Sequence, residues 1–407
     1  MTGPLSHLRI LDLSRVLAGP WAGQLLADMG AEVIKVERPG EGDDTRGWGP
    51  PFLKDRDGKD TGESAYYLSA NRGKRSVSID FTRPEGQELV CRLAAGCDVV
   101  LENFKVGGLA KYGLDYAGLK AVKPDIVYCS ITGFGQDGPY APRAGYDFLI
   151  QGMGGLMSLT GATDGEPMKV GVALTDIFTG MYAGFAVLAA LAHRDRTGQG
   201  QHIDLALLDV QVAVLANQAT NYLVGGQVPK RLGNAHPNIV PYQAFPTQDG
   251  HIILAVGNDG QFRRFCQVAG RPELGTDSRY ATNVERVRNR AELVPILAGL
   301  LASRPSAHWI AALEQAGVPC GPINDLAGVF SDPQVAHRGL RKSVDHPLAG
   351  KVDLVANPIR MSESPVTSDR PPPLLGGDTA EVLGRLLGVD AAEIERLAGD
   401  GIIGGAR

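Results

Sequence analysis

Residues 8–37 decide the fold of this chain and read L-R-I-L-D-L-S-R-V-L-A-G-P-W-A-G-Q-L-L-A-D-M-G-A-E-V-I-K-V-E. The apolar alternation over 8–13 predicts a strand. Residues 20–29 predict a helix with Pro in its first turn and Gly30 at its end, and 32–37 predict a second strand. A strand, a helix and a second strand in this order form a βαβ unit, whose strands lie parallel.

The same alternation continues along the chain. Strands are predicted over 76–80, 99–102 and 126–130, with helices over 84–95 and 116–122 between them. This order indicates an α/β protein with a doubly wound, mostly parallel sheet. Ligands of such sheets bind at the carboxyl ends of the strands. Those ends carry residues 14–18, Arg38, Asn103 with Phe104, and 133–138.

Length and composition exclude several classes of protein. The 407 residues suggest two domains, with three as the alternative, and the 43% hydrophobic and 21% charged residues are those of a soluble globular protein. A net charge of −5 gives no electrostatic footprint for nucleic acid or an anionic membrane. The five scattered cysteines have no metal-site spacing and indicate reduced core residues, so we expect no metal. The N-terminus lacks the pattern of a signal peptide, which predicts a cytoplasmic location.

Two sequence features near the first βαβ unit bear on whether the protein binds a nucleotide. Glu37 lies about where a dinucleotide fold places its ribose-binding acid, but the G-x-G-x-x-G fingerprint is missing, which argues against a nicotinamide oxidoreductase. The cations of N-R-G-K-R at 71–75 suit an anion such as a phosphate, and a solvated basic turn fits them equally. Residues 38–64 are rich in Gly, Pro and charge and indicate a long surface loop, for which disorder is an equal possibility.

One carboxylate stands at the start of an apolar segment. Residues 170–184 read V-G-V-A-L-T-D-I-F-T-G-M-Y-A-G, and 177–192 carry no charge, so a buried helix is predicted that is shorter than a membrane span. Asp176 would meet free N–H groups and the helix dipole, which favour its ionised form and make it a candidate nucleophile. The alternative is that Asp176 or Thr175 is an ordinary helix cap. Gly180 and Gly184 indicate close packing of this helix.

A second unit is predicted after a long apolar helix over 205–223. Residues 242–245 and 251–256 predict a hairpin with its turn at Asp249 and Gly250. The end of the chain carries a proline run at 371–373 and two predicted helices starting near Thr379 and Asp390. We therefore expect a large domain beginning with 1–202, a linker over 203–230, a small domain over 231–328, and a return of 329–407 to the large domain.

Several motifs in this order resemble the class III CoA-transferase family, which includes formyl-CoA transferase, carnitine CoA-transferase and methylacyl-CoA racemase. The motifs are L-D-L-S-R-V-L-A-G-P, A-E-V-I-K-V-E-R-P-G-E-G-D-D-T-R, G-K-R-S-V-S-I-D, E-N-F, R-A-G-Y-D, V-G-V-A-L-T-D and P-P-P-L-L-G. The resemblance covers nearly the whole chain. Within the family, V-P-Y-Q-A-F, G-P-P-F and R-P-P-P-L-L-G look most similar to the succinyl-CoA:glutarate and succinate-hydroxymethylglutarate transferases.

The resemblance implies a fold, an assembly and a set of site residues. It implies a Rossmann-like large domain built from both chain ends, a small central α+β domain, and a homodimer whose two chains are interlocked. Asp176 matches the family's catalytic aspartate, and acyl-CoA is a substrate with no permanently bound cofactor. The CoA contacts carried over by position are Val16, Leu17, Ala18, Arg38, Ile79, Thr82, Asn103, Phe104, Lys111, Arg143 and Tyr146.

Departures from the family pattern bear on the substrates. Formyl-CoA transferase has Gln where Leu17 stands and a run of glycines where 257–261 read G-N-D-G-Q, which argues against oxalate. The racemases have a proton-shuttling His where Tyr146 stands. Because racemisation next to a thioester needs a paired acid and base, this departure argues against a racemase.

The expected reaction is therefore transfer of CoA from succinyl-CoA to a free dicarboxylate, with glutarate as the first choice. The alternatives are an acyl-CoA racemase, a noncatalytic CoA-binding protein, and transfer to another acid such as itaconate, malate or a carnitine-like acid. The distal carboxylate of the acceptor needs a cation or several hydrogen-bond donors, and Arg46 and Arg231 are the candidates. We favour Arg231, with His236, Gly260 and Gln261 beside it. The alternative is that Arg231 pairs with a surface acid.

Overall fold

Strands alternate with helices along the first half of the chain. The structure is a computed structural model that describes residues 3–366 and 369–405. The strands are β1 (Arg9–Asp12), β2 (Glu32–Glu37), β3 (Phe52–Lys54), β4 (Asp60–Ser64), β5 (Arg75–Ile79), β6 (Val99–Glu102), β7 (Val127–Thr132), β8 (His202–Ala206), β9 (Tyr242–Pro246), β10 (His251–Ala255), β11 (Cys320–Pro322), β12 (Arg341–His346), β13 (Gly350–Val355) and β14 (Ile403–Gly404). The helices are α1 (Ala18–Asp28), α2 (Ala65–Ala70), α3 (Pro84–Ala95), α4 (Tyr116–Val122), α5 (Asp147–Met153), α6 (Leu156–Leu159), α7 (Leu174–Thr197), α8 (Leu207–Ala213), α9 (Ala216–Gly225), α10 (Asp259–Val268), α11 (Asn283–Arg288), α12 (Arg290–Leu301), α13 (Ser306–Gln315), α14 (Leu326–Ser331), α15 (Pro333–His337), α16 (Thr379–Leu387) and α17 (Ala391–Gly399).

A large sheet with the strand order β14-β5-β2-β1-β6-β7-β8 organises the chain. Its neighbouring strands pair in parallel except at the edge, where β14 is antiparallel to β5. The predicted parallel-dominated α/β sheet is thus confirmed. Without β14, its strands follow the doubly wound order 3-2-1-4-5-6 when counted along the chain. That order reverses between β1 and β6, and ligands of such folds bind in the crevice at this point.

Both faces of the sheet are covered because successive side chains of a strand point to opposite sides. On β1, Ile10 packs in one apolar cluster and Leu11 in another. The cluster of Ile10 includes side chains of α1 and α7, and the cluster of Leu11 includes side chains of α3, α4, α16 and α17. The period-2 pattern that predicted the strands therefore also divides the core into two layers.

Helix α7 is longer than the uncharged run that predicted it. It has 24 residues and a mean hydropathy of 1.5 over its most apolar window, so by length and composition it is long enough to cross a membrane. Half of that window is buried within the protein. Gly180 allows close packing, since a Cβ there would lie 2.7 Å from the backbone oxygen of Ala18. A Cβ at Gly184 would meet no described atom within 4 Å, so close packing there is not found.

Two predictions of local structure were wrong. The long helix over 205–223 is divided into α8 and α9, and Ala216 at the start of α9 has a φ of +46°. The segment 38–64 is not an open loop, because it contains a 3₁₀ turn at Asp44–Gly47 and the antiparallel strands β3 and β4. Strands β3 and β4 form a local hairpin, whose turn contains Gly58 with a φ of +81°.

The chain divides into two compact units. The first contains Met1–Leu156, Val170–Ala219 and Gln334–Arg407, and the second contains Met157–Lys169 and Thr220–Pro333. In the second unit, β9 and β10 form the predicted antiparallel hairpin, with Ile252 opposite Phe245. Its apolar core joins this hairpin to α10, α12 and α13. The domain boundaries drawn from the sequence at 202, 230 and 328 stay a prediction.

Candidate active site

Two cavities lie at the carboxyl ends of the parallel strands, where the strand order reverses. The smaller, of about 160 Å³, is bordered by the turn after β1, the turn after β6 and the start of α7. The larger, of about 610 Å³, is bordered by the turns after β1, β2, β5 and β6. Both are features of the first unit alone.

Every residue that the sequence proposed for CoA borders one of these cavities. Val16, Leu17, Ala18, Asn103, Phe104, Arg143 and Tyr146 line the smaller cavity together with Asp176. Arg38, Ile79, Thr82, Phe104 and Lys111 line the larger one. Phe104 lines both cavities, and the guanidinium of Arg15 lies 5.2 Å from the centre of its ring.

The turn after β1 has a strained backbone. Val16 has a φ of +71°, a conformation that a β-branched residue rarely adopts, and such strain concentrates at functional sites. The Val16 N–H donates to Oδ1 of Asp43 over 3.2 Å. Lys35 supports the arrangement, since its Nζ lies 2.8 Å from Asp43 and donates to the Ser14 carbonyl over 2.7 Å. The buried Lys35–Asp43 pair therefore fixes this turn.

Asn103 joins the turn after β6 to the turn after β1. Its Oδ1 accepts the Arg15 N–H over 2.8 Å, and its Nδ2 donates to the Arg15 carbonyl over 2.7 Å. Glu102 holds the next residue, because its Oε2 accepts the Phe104 N–H over 2.8 Å. The side-chain amide of Asn103 thus holds the two turns together.

Asp176 lies in the first turn of α7. The cap position is Ala173 and the helix begins at Leu174, so the alternative that Asp176 or Thr175 is the N-cap is wrong. The carboxylate of Asp147 takes the cap's place, since its Oδ1 accepts the N–H groups of Thr175 over 2.9 Å and of Asp176 over 3.4 Å. Asp176 is partly buried, and no hydrogen-bond donor among residues 3–366 and 369–405 reaches its carboxylate.

The environment of Asp176 favours the protonated acid rather than the carboxylate. Burial first, and the negative charge of Asp147 second, raise the pKa of Asp176 to about 7. The expectation that the helix N-terminus favours the ionised form is therefore wrong, because Asp147 has taken the N–H groups. A carboxyl group with a raised pKa in a cleft is characteristic of a functional site.

The sequence analysis missed Tyr66 and Lys105. Lys105 lines both cavities with Phe104, and its position directly after the E-N-F motif was a signal. Tyr66 lies on α2, where burial first and the charges of Asp176 and Asp147 next raise its pKa to about 12. No local pattern marks Tyr66, because only the fold brings it near Asp176.

Several predicted anion-binding cations instead serve the fold. Lys74 is fully buried and contacts Asp12 over 2.9 Å, and Arg72 contacts Asp28, so the prediction of a phosphate-binding or solvated turn at 71–75 is wrong. Arg46 is also buried and donates to Glu37 and Glu63, each over 2.8 Å. It is therefore unavailable for an acceptor carboxylate. Glu37, held in this way, is not a free ribose-binding acid.

The residues proposed for the acceptor lie in the second unit. Arg231 donates to the carbonyls of Ala162 over 3.2 Å and Gly165 over 2.6 Å. The Nδ1 of His236 accepts the Asn238 N–H over 3.1 Å. Gly260 and Gln261 lie in the first turn of α10, where Oε1 of Gln261 accepts the Gly257 N–H over 2.7 Å. The described chain gives Arg231 no carboxylate partner.

The remaining titratable groups include possible metal ligands and free thiols. Within the described ranges, no group of three or more His, Cys, Asp and Glu side chains is arranged to hold a metal ion. Cys97, Cys129 and Cys266 are buried free thiols, and Cys91 and Cys320 are partly buried free thiols. Burial raises the pKa of Cys97 and of Cys266 to about 12, so these thiols are unreactive.

Comparison with known proteins identifies the family of this chain. The model of CoA-transferase family III matches residues 5–379. The chain belongs to this family and is an enzyme. It is 56% identical over 383 residues to the succinate–glutarate CoA-transferase of Agrobacterium fabrum, covering 94% of this chain and 96% of that one. It is 46% identical over 400 residues to the succinyl-CoA:glutarate CoA-transferase of Homo sapiens, covering 98% of this chain and 90% of that one.

A solved structure extends the similarity to the whole fold. The crystal structure of a CAIB/BAIF family protein from Brucella suis is 52% identical in sequence and superimposes with a TM-score of 0.84. The match covers 95% of this chain and 100% of that one.

Proposed function

We propose that this enzyme transfers CoA from succinyl-CoA to glutarate, with Asp176 as the covalent nucleophile. The observation that carries the proposal is the Asp176 carboxyl group, which has a pKa near 7 and lies in one cavity with the turns proposed for CoA. The names of the Agrobacterium fabrum and human relatives supply the two acids. Their coverage of nearly the full length of this chain supports carrying the substrates over.

The reaction proceeds by four exchanges at acyl carbons. A carboxylate oxygen of Asp176 attacks the thioester carbon of succinyl-CoA, and CoA thiolate leaves, which forms a mixed anhydride. The thiolate then attacks the Asp176 carbonyl carbon and releases succinate, which leaves an aspartyl-CoA thioester. A glutarate oxygen displaces the thiolate to form a second anhydride. The thiolate finally attacks the glutaryl carbon, so that glutaryl-CoA leaves and the carboxylate is restored.

The environment of Asp176 suits this chemistry. A carboxylate that lacks hydrogen-bond donors keeps its electron density for attack, and its raised pKa places the ionised form within reach at neutral pH. The energy of the thioester is conserved through every step, so the transfer needs no nucleotide.

The test is a transfer assay combined with chemical trapping. Purified protein incubated with succinyl-CoA and glutarate should form glutaryl-CoA, with itaconate, malate and a carnitine-like acid as competing acceptors. Hydroxylamine added with succinyl-CoA alone should place an adduct on Asp176, which mass spectrometry of the peptides locates. Active enzyme with an adduct at another residue would refute the nucleophile. Exchange of the proton next to the thioester, without transfer, would identify a racemase, and binding without either reaction a noncatalytic protein.

We also propose that the enzyme is the interlocked homodimer, with the two-domain layout, that the resemblance implies. An apolar face of α7 supports the dimer, since Met181, Tyr182, Phe185 and Leu188 are each between 42% and 73% exposed in the single chain. An apolar patch of this kind is typical of an interface. Sedimentation at falling protein concentration should show a dimer that does not dissociate. The cytoplasmic location stays a prediction.

A further inference from the structure

Asp147 is held by contacts to its own helix α5 and to the start of α7. It begins α5, and its Oδ2 accepts the side-chain Nε2 of Gln151, one turn later, over 2.7 Å. Its Oδ1 accepts the N–H groups of Thr175 over 2.9 Å and of Asp176 over 3.4 Å. Gln151 is itself fully buried and accepts the Val170 N–H over 2.9 Å. Asp147 therefore has little freedom to move.

This arrangement caps α7 from outside the helix. The residue at the cap position is Ala173, whose side chain has no acceptor, so the first N–H groups of the helix need a partner from elsewhere. A carboxylate is the strongest acceptor for such groups. Asp147 supplies this acceptor. The Asp176 carboxylate, although it lies in the first turn of α7, therefore lacks the hydrogen bonds that helix N–H groups ordinarily donate to a carboxylate at that position.

We propose that Asp147 is a positioning residue for the transfer reaction: it fixes the first turn of α7 and takes the helix N–H groups that Asp176 would otherwise receive hydrogen bonds from. The inference rests on the proposed function in one respect, the role of Asp176 as nucleophile. The effect of Asp147 on the acidity of Asp176 does not depend on that role.

The charge of Asp147 acts in the same direction as the loss of hydrogen bonds. Burial is the larger cause of the raised pKa of Asp176 and Asp147 is the second. The other titratable and charged groups around Asp176 are Tyr66 from α2 and the residues that line the same cavity. Those are Arg15 from the turn after β1, Lys105 from the turn after β6, and Arg143 and Tyr146 from the segment before α5. Asp147 differs from these groups in two ways: it carries a negative charge, and it accepts the backbone N–H of Asp176.

The decisive variant is Asp147→Asn, which keeps an oxygen for the N–H groups and removes the charge. Its Asp176 should have a lower pKa, and a drop of about one unit is the scale expected for a neighbouring charge. The rate of acyl transfer to Asp176 falls with decreasing pH as the carboxylate is protonated. The midpoint of this fall should therefore lie at a lower pH in the variant than in the wild type. Relative to its own plateau, the variant should then keep about five times the wild-type share of activity at pH 6, if the shift is about one unit.

A second signature comes from the plateau at high pH. A less basic nucleophile reacts more slowly, by about threefold per unit of pKa if the dependence resembles that of thiolates. The two profiles of rate against pH should therefore converge or cross on the acid side. A merely structural role would lower the rate at all pH values by one factor and leave the midpoint in place.

Asp195→Asn is the matched control. Asp195 lies on the same helix, exposed and about 28 Å along it from Asp176 at 1.5 Å per residue. This variant loses the same charge and should keep the wild-type profile. A folded Asp147→Asn protein with an unchanged midpoint would overturn the proposal, and so would an equal shift in Asp195→Asn.

A direct titration keeps the test independent of catalysis and of any one variant. Carbon-13 NMR of labelled aspartate in the substrate-free enzyme, assigned with Asp176→Asn, measures the pKa of Asp176 itself. Asp147→Ala, which removes both the charge and the capping oxygen, is the second variant. An unshifted Asp176 in either folded variant refutes the role of Asp147. A missing hydroxylamine adduct in active wild-type enzyme refutes the nucleophile instead, so the two failures are distinguishable.

Discussion

Two regions that border the cavities of the first unit differ in how they hold a carboxylate: one pairs it with a cation at close range, and the other does not. The ion-pair network beside the turn after β1 matches each buried acid with a base. Although burial alone raises the pKa of Asp43, the charge of Lys35 lowers it to about 2. The members of this network are Asp12 with Lys74, Asp28 with Arg72, Asp43 with Lys35, and Glu37 and Glu63 with Arg46.

The start of α7 shows the opposite arrangement. There Asp176 has a second carboxylate, Asp147, as its neighbour, and its pKa is raised to about 7. The difference shows that burial alone does not decide what an acid does. A paired acid holds the turn that borders the cavity, and an unpaired acid is left reactive within it.

The largest expected effect is on activity at the unpaired acid. Asp176→Asn should lower kcat by several orders of magnitude, as expected for a lost covalent nucleophile, while CoA still binds. Steady-state transfer assays and equilibrium binding of CoA measure the two quantities. A variant that keeps more than about a tenth of the wild-type rate would show that Asp176 is not the nucleophile.

The same variant provides its own check on folding. An acid whose pKa is raised on folding costs stability, fully above the folded pKa of about 7, and the cost shrinks as the pH falls from there toward the unfolded pKa of about 4. Asp176→Asn removes the charge, so its thermal midpoint at pH 8 should be equal to or higher than that of the wild type. A lower midpoint would contradict the assigned environment.

The next effect is on stability within the ion-pair network. Arg46→Met leaves Glu37 and Glu63 buried without their cation, and breaking such a pair costs about 3–5 kcal/mol. Urea unfolding of the two proteins should show a loss on this scale. Arg341→Met is the control, since Arg341 pairs with Asp353 on the surface and such pairs are worth about 1 kcal/mol or less. Equal losses in both variants would remove the distinction between the network and the surface.

The regular elements were predictable because their signals are local. The helix predicted over 84–95 is α3, Pro84–Ala95, and the helix predicted over 116–122 is α4, Tyr116–Val122. Proline at the first position of α3 and Asp115 as the cap of α4 mark these starts in the sequence. The parallel sheet then follows from the alternation of strands and helices.

The partners of the charged side chains were not predictable, because they are distant in sequence. Lys74 reaches Asp12 and Arg72 reaches Asp28, 62 and 44 residues earlier. A cluster of three cations at 71–75 therefore looked like an anion site. The pKa of Asp176 was misjudged for the same reason, since Asp147 lies 29 residues earlier and takes the N–H groups of α7. Ala216 likewise gives no local sign of its left-handed backbone at the break before α9.

The smallest effect concerns a cation without an acid, the counterpart of Asp176 in the second unit. The guanidinium of Arg231 donates to the carbonyls of Ala162 and Gly165, which orient it without neutralising it, and no described carboxylate pairs with it. We propose that it binds the distal carboxylate of the acceptor, since an Arg fork matches a carboxylate. Arg231→Met should then raise the KM for glutarate at least about tenfold, the scale of one lost charged hydrogen bond. The KM for a monocarboxylate should stay unchanged, because that acid has no second charge to hold.

Arg92→Met is the control, since this exposed arginine on α3 also donates to a backbone carbonyl, that of Leu387, and should leave both constants unchanged. Equal losses for both acids in Arg231→Met would assign Arg231 to the loop of Ala162 and Gly165 rather than to the acceptor.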